Sequence, residues 1–367
     1  MSKKRVEAII DLGAVISNYD HIKNKLAPNT KLLSVVKADA YGHGAIEVCH
    51  ALEKHGATEF AVACVEEAIV LREGGVKGNI LILGITDESY AETLEKYSLT
   101  QTVDGYKYAC ALSKRAKIKV HVKVDTGMSR LGLYCHKPED AIKASEEIRK
   151  IHELDNITID GIFTHFAESD SPSGDFTRQQ YESFYSLLNK LEADGIKVGT
   201  RHCCNSAGII NYPEMQLDMV RAGIILYGLY PSAETVDDKL IPAMKLVSRV
   251  SSVSEIDEND TVSYGRSYRP AGRIKKAVVS IGYADGLSRV LSGKATLRIN
   301  GVDVPVIGNI CMDLCMADVT GCDCKVGDEV VVFENNEDVN RLAALANTIN
   351  YEIVCSVKNR VPRKYID

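Results

Sequence analysis

Residues 32–44, LLSVVKADAYGHG, decide how the rest of the chain is read. Leu32 to Val36 is a short, nearly continuous apolar run, the signature of a parallel strand buried on both faces and not of a half-wet hairpin. The run reaches its end at Lys37. A lysine at a strand end is by itself usually a solvated residue, so position alone assigns it no chemistry.

Working outward, short apolar runs alternate with longer helical patterns over the first ~230 residues, as repeated βα units require. The candidate strands lie near 32–36, 60–63, 80–83, 99–103, 120–124, 159–164, 200–204 and 217–220, eight in all. Eight is the number that closes a (β/α)8, or TIM, barrel. Amphipathic stretches such as 45–54, 65–73, 140–152 and 177–194 separate them. After about residue 238 the texture changes to alternating patterns at 245–256, 275–281, 294–298, 302–306 and 329–333. Asn300-Gly301 between two of these predicts a two-residue hairpin, since both residues tolerate positive φ. A late helix over 338–348 and a final strand over Glu352 to Val357 close the chain. The expected organisation is a barrel domain over 1–238 and a mostly antiparallel β-domain over 239–367.

Composition narrows the class. A chain of 367 residues, 45% hydrophobic and 26% charged, can fill two cores. A formal net charge of −6 gives no electrostatic reason to expect nucleic acid or an anionic membrane surface as partner, and favours a small molecule. The start, MSKKRVEAIIDLG, lacks a signal-peptide core, and no run elsewhere approaches the roughly 18 apolar residues of a membrane span. Eleven cysteines without a regular framework suit a reducing cytoplasm. The groupings His202-Cys203-Cys204, Cys311 with Cys315 and Cys322 with Cys324 lack the paired spacing zinc asks for, so no metal is expected.

In a barrel of this kind function gathers at the carboxyl ends of the strands, with phosphate commonly held after strands seven and eight. Candidate strand seven runs into Asn205-Ser206, a helix-start pair whose side chains and N–H groups could hold a phosphate. Candidate strand eight runs into Arg221-Ala222-Gly223-Ile224, where the glycine lets backbone approach an anion. A surface salt bridge is a poor account of an arginine at the end of an apolar strand.

Nine strings, VVKADAYGHG, KVDTGMSRLG, THFAESD, HCCNSAG, MVRAGIILYG, VSYGRSY, GYADG, ICMD and YEI, follow one another along nearly all of the sequence. In identity and order they resemble the alanine racemase family. The resemblance implies pyridoxal 5'-phosphate (PLP) as cofactor, with Lys37 binding it covalently and Tyr41 beside its phosphate. It implies a second acid/base, Tyr264, opposite Lys37 and supplied by the partner subunit of a homodimer. Tyr264 would serve the L-alanine face and Lys37 the D-alanine face. PLP is needed because an amino-acid α-proton leaves at neutral pH only if the electron pair is delocalised, and Lys37 can act as a base only if its pKa falls, as burial would make it. Phenols titrate near pH 10 in water. The family links this tyrosine to a histidine and an arginine, here His165 and Arg221. The arginine donates to the pyridine nitrogen of PLP and, staying protonated, leaves that nitrogen without a proton.

Further implied roles follow residue by residue. Ser206, Gly223, Ile224, Tyr41 and Tyr351 hold the phosphate, with Asn205 alongside. Arg130 sits near the phenolic oxygen of PLP and the substrate carboxylate, and Lys123 matches a lysine that many members carry as a carbamate. Met312, with Asp313 nearby, offers its backbone N–H to the substrate carboxylate from the other subunit. Tyr283 and Tyr351 narrow the entrance. D-Alanine produced this way would feed peptidoglycan. Asn309, Leu314 and Leu287-Ser288 depart from the usual family residues and are expected around the partner-facing entrance. Three other readings stand beside this one. A serine-preferring racemase of the same family is disfavoured by Tyr351. A non-catalytic PLP carrier should lack the β-domain, and a barrel decarboxylase should not have Arg221.

Overall fold

The computed structural model describes residues 4–367; Met1 to Lys3, the start of the stretch read for a leader, lie outside the described residues. Strand β1 (Val6–Asp11) buries Val6, Ala8 and Ile10 on one face. Asp11 then caps α1 (Leu12–Lys23), accepting from the Ala14 N–H at 2.8 Å. The barrel follows in β2 (Lys31–Val35), β3 (Glu59–Val62), β4 (Asn79–Ile82), β5 (Thr100–Val103) and β6 (Ile118–Asp125). A two-residue strand, β7 (Leu133–Tyr134), is appended to β6, and β8 (Ile157–Phe163), β9 (Thr200–His202) and β10 (Met219–Ala222) complete the barrel. Among the described residues, eight parallel strands run in the order β5-β4-β3-β2-β10-β9-β8-β6, and a β5–β6 pairing closes the ring. Around and between them lie α2 (Lys37–Tyr41), α3 (Ala45–Lys54), α4 (Val65–Glu73), α5 (Ala91–Lys96), α6 (Tyr106–Ser113), α7 (Ala141–His152), α8 (Asp175–Ala193) and α9 (Ser206–Asn211). Strand ten begins later than the apolar run suggests, because Leu217 turns the chain at φ 52°. Arg221 therefore stands inside the strand, held in register opposite Leu33.

The second unit is built on β11 (Met244–Ile256), β12 (Ile274–Val279), β13 (Thr296–Ile299), β14 (Val302–Ile307), β15 (Cys315–Asp318), β16 (Glu329–Phe333), α10 (Asn336–Ala346), α11 (Asn350–Cys355) and β17 (Arg363–Ile366). Its strands are antiparallel except for β1 with β17. The Asn300-Gly301 hairpin forms as expected, with φ of 50° and 80° and Ile299 paired to Val302. Residues 6–11, counted with the barrel in the expected division at residue 238, instead pair with β11 and β17. The final strand expected over Glu352 to Val357 is a correction: that segment is mostly α11, and the last strand is β17. Its β-branched residues read as a strand, but Ile353, Val354 and Val357 form one buried face at helical spacing. None of the described helices is long and apolar enough to cross a membrane.

Candidate active site

The turn after β2 carries Lys37, the first expected site residue, and it is strained. Ala38, Asp39, Ala40 and Tyr41 all lie in the left-handed region, at φ of 52°, 54°, 54° and 53°. Each such non-glycine residue costs on the order of 1–2 kcal/mol, so surrounding contacts must hold the turn. Glu67 does so from α4, accepting from the Ala38 N–H at 2.7 Å and the Ala63 N–H at 2.8 Å. Asp39 accepts from the Ala45 N–H at 2.8 Å, and the His43 ring bonds the Ala40 carbonyl at 2.9 Å. Gly42 is required behind the turn, because a Cβ there would stand 2.6 Å from the Val354 carbonyl oxygen. The result fixes Lys37 and Tyr41 on the wall of a cavity.

That cavity has a volume of about 630 Å³ and opens at the carboxyl ends of the barrel strands. Lys37, Tyr41, Lys123, Arg130, His165, Asn205, Ser206, Arg221, Gly223 and Tyr351 all line it. Burial lowers the pKa of Lys37, and the Arg130 charge lowers it further against weaker opposition from Cys355 and Glu67. Lys123 is pulled down to about 7, first by burial and then by Arg221. Its Nζ donates to the Val124 carbonyl at 2.9 Å and lies over the Phe163 ring.

Arg221 is buried and held on several sides. Nη1 donates to His202 Nδ1 at 2.9 Å, while Nη2 reaches the Thr164 carbonyl at 2.9 Å, the Cys203 carbonyl at 2.8 Å and His165 Nδ1 at 3.0 Å. Among the described residues no acceptor is assigned to Nε, which leaves this N–H for a ligand in the cavity the residue lines. Burial and the Arg221 charge keep the His165 pKa well below that of a free imidazole, so His165 is neutral.

A cradle sits where β10 ends. Ser206 Oγ accepts from the Gly223 N–H at 3.0 Å, and Asn205 caps α9 by accepting from the Gly208 N–H at 2.9 Å. A Cβ on Gly223 would meet Tyr41 Oη at 2.7 Å and Ser206 Oγ at 3.4 Å, so the space between these hydroxyls exists only because the residue is glycine. Tyr351 closes the side, its ring 6.0 Å from that of Tyr41.

The remaining expected site residues lie elsewhere. The Ile224 side chain is fully buried away from the cavity, which leaves only its backbone available to a ligand. Tyr264, Met312, Asp313 and Tyr283 do not line the cavity of their own chain. They gather on one face of the second unit, where Tyr264 is 71% exposed, Met312 53%, Leu314 40% and Tyr283 39%. Hydrogen bonds join their loops: Tyr283 N–H to the Cys311 carbonyl and Ala284 N–H to the Met312 carbonyl, both 3.0 Å, and Asn309 Nδ2 to the Tyr264 carbonyl at 2.8 Å. Asp313 pairs with Arg360, which also grips the fully buried Asp285 together with Arg5. Leu287 corrects an expectation, being buried against a separate apolar cavity beside α11 and not at an exposed entrance. His202, read only for its cysteine neighbours, and Glu67 were missed, for neither carries a local pattern. No group of three or more His, Cys, Asp or Glu positioned for a metal ion occurs among the described residues.

The profile of the alanine racemase N-terminal domain matches residues 10–231, and that of the C-terminal domain matches residues 243–365. The chain belongs to the alanine racemase family. Alanine racemase of Desulfovibrio desulfuricans is 43% identical over 370 residues, covering 99% of this chain and 98% of its own. Alanine racemase 1 of Clostridium acetobutylicum is 41% identical over 98% of this chain and 95% of its own. Among solved structures, alanine racemase of Clostridium difficile superposes with a TM-score of 0.93 at 38% identity, covering 100% of this chain and 97% of its own. Alanine racemase of Bacillus anthracis with bound L-Ala-P gives 0.92 at 29% identity, covering 100% and 96%. The chain is thus an isomerase of the alanine racemase family, and its barrel and β-domain are the two family domains.

Proposed function

We propose that this enzyme interconverts L-alanine and D-alanine with PLP as cofactor, in a homodimer whose two sites are each completed by the other chain. The observation that carries the reading is the joining of Lys37, Arg221 and the Gly223 cradle in one cavity. The residues present fit PLP. Tyr41 Oη, Ser206 Oγ, Tyr351 and the backbone of Gly223 and Ile224, with Asn205 behind them, suit a phosphate held without positive charge. Arg221 Nε would donate to the pyridine nitrogen, and a guanidinium gives no proton away there. PLP supplies, when bound, a place for the electron pair left by the departing α-proton.

The protein's own groups do the rest. Lys37, its amine already less basic through burial, takes or returns the proton on the D-alanine face. Arg130 orients the substrate carboxylate. Lys123, half neutral near pH 7, is suited to carry CO2 as a carbamate beside it. The exposed patch of Tyr264, Tyr283, Met312 and Leu314 supports a docked second copy, since aromatic and methionine side chains rarely gather in water without a partner. In that dimer Tyr264 serves the L-alanine face, linked through the partner's neutral histidine at position 165 to its arginine at position 221. Met312 offers its N–H to the carboxylate with Asp313 alongside, and Tyr283 with Tyr351 narrows the entrance to a methyl side chain. The two working units are residues 1–238, apart from the strand lent to the second sheet, and 239–367. The product would supply peptidoglycan, made in the cytoplasm.

The test is circular dichroism of L-alanine and L-serine incubated with PLP-loaded protein, beside Lys37→Ala and Tyr264→Phe. Optical activity should disappear much faster with alanine than with serine, and in neither variant. Alanine that keeps its rotation over a protein still carrying PLP absorbance would overturn the proposal.

A further inference from the structure

Behind Arg221 lie two histidines that the proposed reaction does not use. His121 on β6 and His202 on β9 are both buried, with His121 Nδ1 2.9 Å from His202 Nε2. His202 Nδ1 is in turn 2.9 Å from Arg221 Nη1. Phe163 stacks on the His202 ring at 4.7 Å with the planes 5° apart, which fixes how that ring faces. A guanidinium carries only donors, so His202 Nδ1 must accept. A neutral imidazole then has its proton on Nε2, and that proton is donated to His121 Nδ1. Burial first, and then the charge of Arg221, keep both rings neutral, with His121 pulled down to about 3 and His202 well below a free imidazole. One proton assignment satisfies both contacts of the row.

Strand β8 makes room for the outer ring. Its register with β6 steps from Val120↔Ile159 to His121↔Gly161, so Asp160 is an extra residue and Gly161 lands opposite the imidazole. A Cβ on Gly161 would stand 2.4 Å from His121 Cε1 and 2.6 Å from each ring nitrogen. Any side chain there would push the ring away from His202.

We infer that His121 is a positioning residue for Arg221: by accepting from His202 Nε2 it fixes the tautomer that presents Nδ1 to the guanidinium, and Gly161 keeps its place open. The inference rests on the proposed contact between Arg221 and the cofactor. Without the His121 acceptor, the buried Nε2–H of His202 has no partner, so the tautomer that accepts from Arg221 costs more. The Nδ1–H form, which sets two donors against each other and turns the guanidinium from its aim, then gains population.

The experiment compares His121→Leu, which removes the acceptor, with His121→Asn, whose Oδ1 takes the place of Nδ1, and with Gly161→Ala. The first readout is a long-range nitrogen–proton correlation spectrum of histidine-labelled, cofactor-free protein, with His202 assigned by its loss in His202→Gln. The second is visible absorbance and steady-state racemisation of the PLP-loaded proteins. Wild type and His121→Asn should show His202 protonated on Nε2. His121→Leu and Gly161→Ala should lose that state, shift the absorbance, and lower kcat roughly 10- to 100-fold with little change in KM, the range met when the outer partner of a metal-ligating histidine is removed. Adding Gly161→Ala to His121→Asn should do little more, because the smaller side chain leaves room for the methyl group.

A His121→Leu protein with the wild-type tautomer and absorbance would overturn the inference, as would His121→Asn behaving like His121→Leu. If His121→Leu does not fold, His121→Asn and Gly161→Ala decide the matter between them. An Arg221→Lys protein unchanged in absorbance and kcat would instead remove the reading on which the inference rests, while the cofactor-free spectra report on His121 separately.

Discussion

Replacing Gly223 with alanine puts a methyl group into the cradle proposed for the phosphate. The new Cβ would come within 2.7 Å of Tyr41 Oη, where ordinary contact begins near 3.4 Å, so the hydroxyl must retreat by about 0.7 Å. The Tyr41 ring has little room to do so, since it is buried and packed 5.1 Å from the Tyr227 ring and 6.0 Å from that of Tyr351. One to two hydrogen bonds to the phosphate are then lost or stretched, each worth about 1.5–3 kcal/mol because the acceptor is charged. Losing one such bond, about 1.5–3 kcal/mol, corresponds to roughly 10- to 150-fold weaker binding of PLP, and losing both to more. The fold itself should survive, because overpacking one methyl group costs about 1–3 kcal/mol. Equilibrium titration with PLP followed by absorbance, with thermal unfolding of the cofactor-free proteins as control, measures both quantities. A Gly223→Ala protein that stays folded and binds PLP within about threefold of wild type would refute the placement of the phosphate.

Three further expectations follow from the same geometry. Lys123 has a pKa of about 7 when folded and near 10.4 when unfolded, so the unfolded chain binds more protons between these values. Wild-type stability in bicarbonate-free buffer should therefore rise with pH between about 7 and 10, by up to about 1.4 kcal/mol per unit, relative to Lys123→Met; parallel urea-unfolding curves across that range would contradict this. Glu67→Gln keeps one of the two acceptors that hold the left-handed turn and should lower the stability of cofactor-free protein by about 1 kcal/mol; no change in the unfolding midpoint would show that the turn is held by other contacts. Asp285→Asn loosens the loops carrying Tyr283 and Met312 and should reduce kcat/KM roughly tenfold through misplacement while PLP affinity holds; loss of both in step would place its effect in the barrel.

The barrel was legible because strands buried on both faces read as unbroken apolar runs, and the close approach of backbone at Gly223 because its neighbours are strand and helix start. The first strand carried its signal too, Val6, Ala8 and Ile10 at period two, but its partner Met244–Ile256 is too distant in sequence for local pattern to name. The segment after Ile349 misled because its β-branched residues favour strands locally while tertiary packing buries them at helical spacing. Nothing in Ala38 to Tyr41 announces a left-handed turn, since the residues that hold it, Glu67 and Asp39, act through backbone bonds. The His121–His202 pair joins positions 81 residues apart and shows only when the strands are set side by side. Tyr264 was legible as a family residue, but its exposed setting on a face of the second unit could be seen only in three dimensions.

The central claim is a site shared between two chains, with Lys37 from one and Tyr264 from the other. The most direct test mixes Lys37→Ala and Tyr264→Phe proteins, each inactive alone, under conditions that let subunits exchange. In a mixed dimer one site loses both groups and the other keeps both, so random exchange should restore about a quarter of wild-type activity per chain. A mixture shown to have exchanged yet remaining inactive would contradict the shared site.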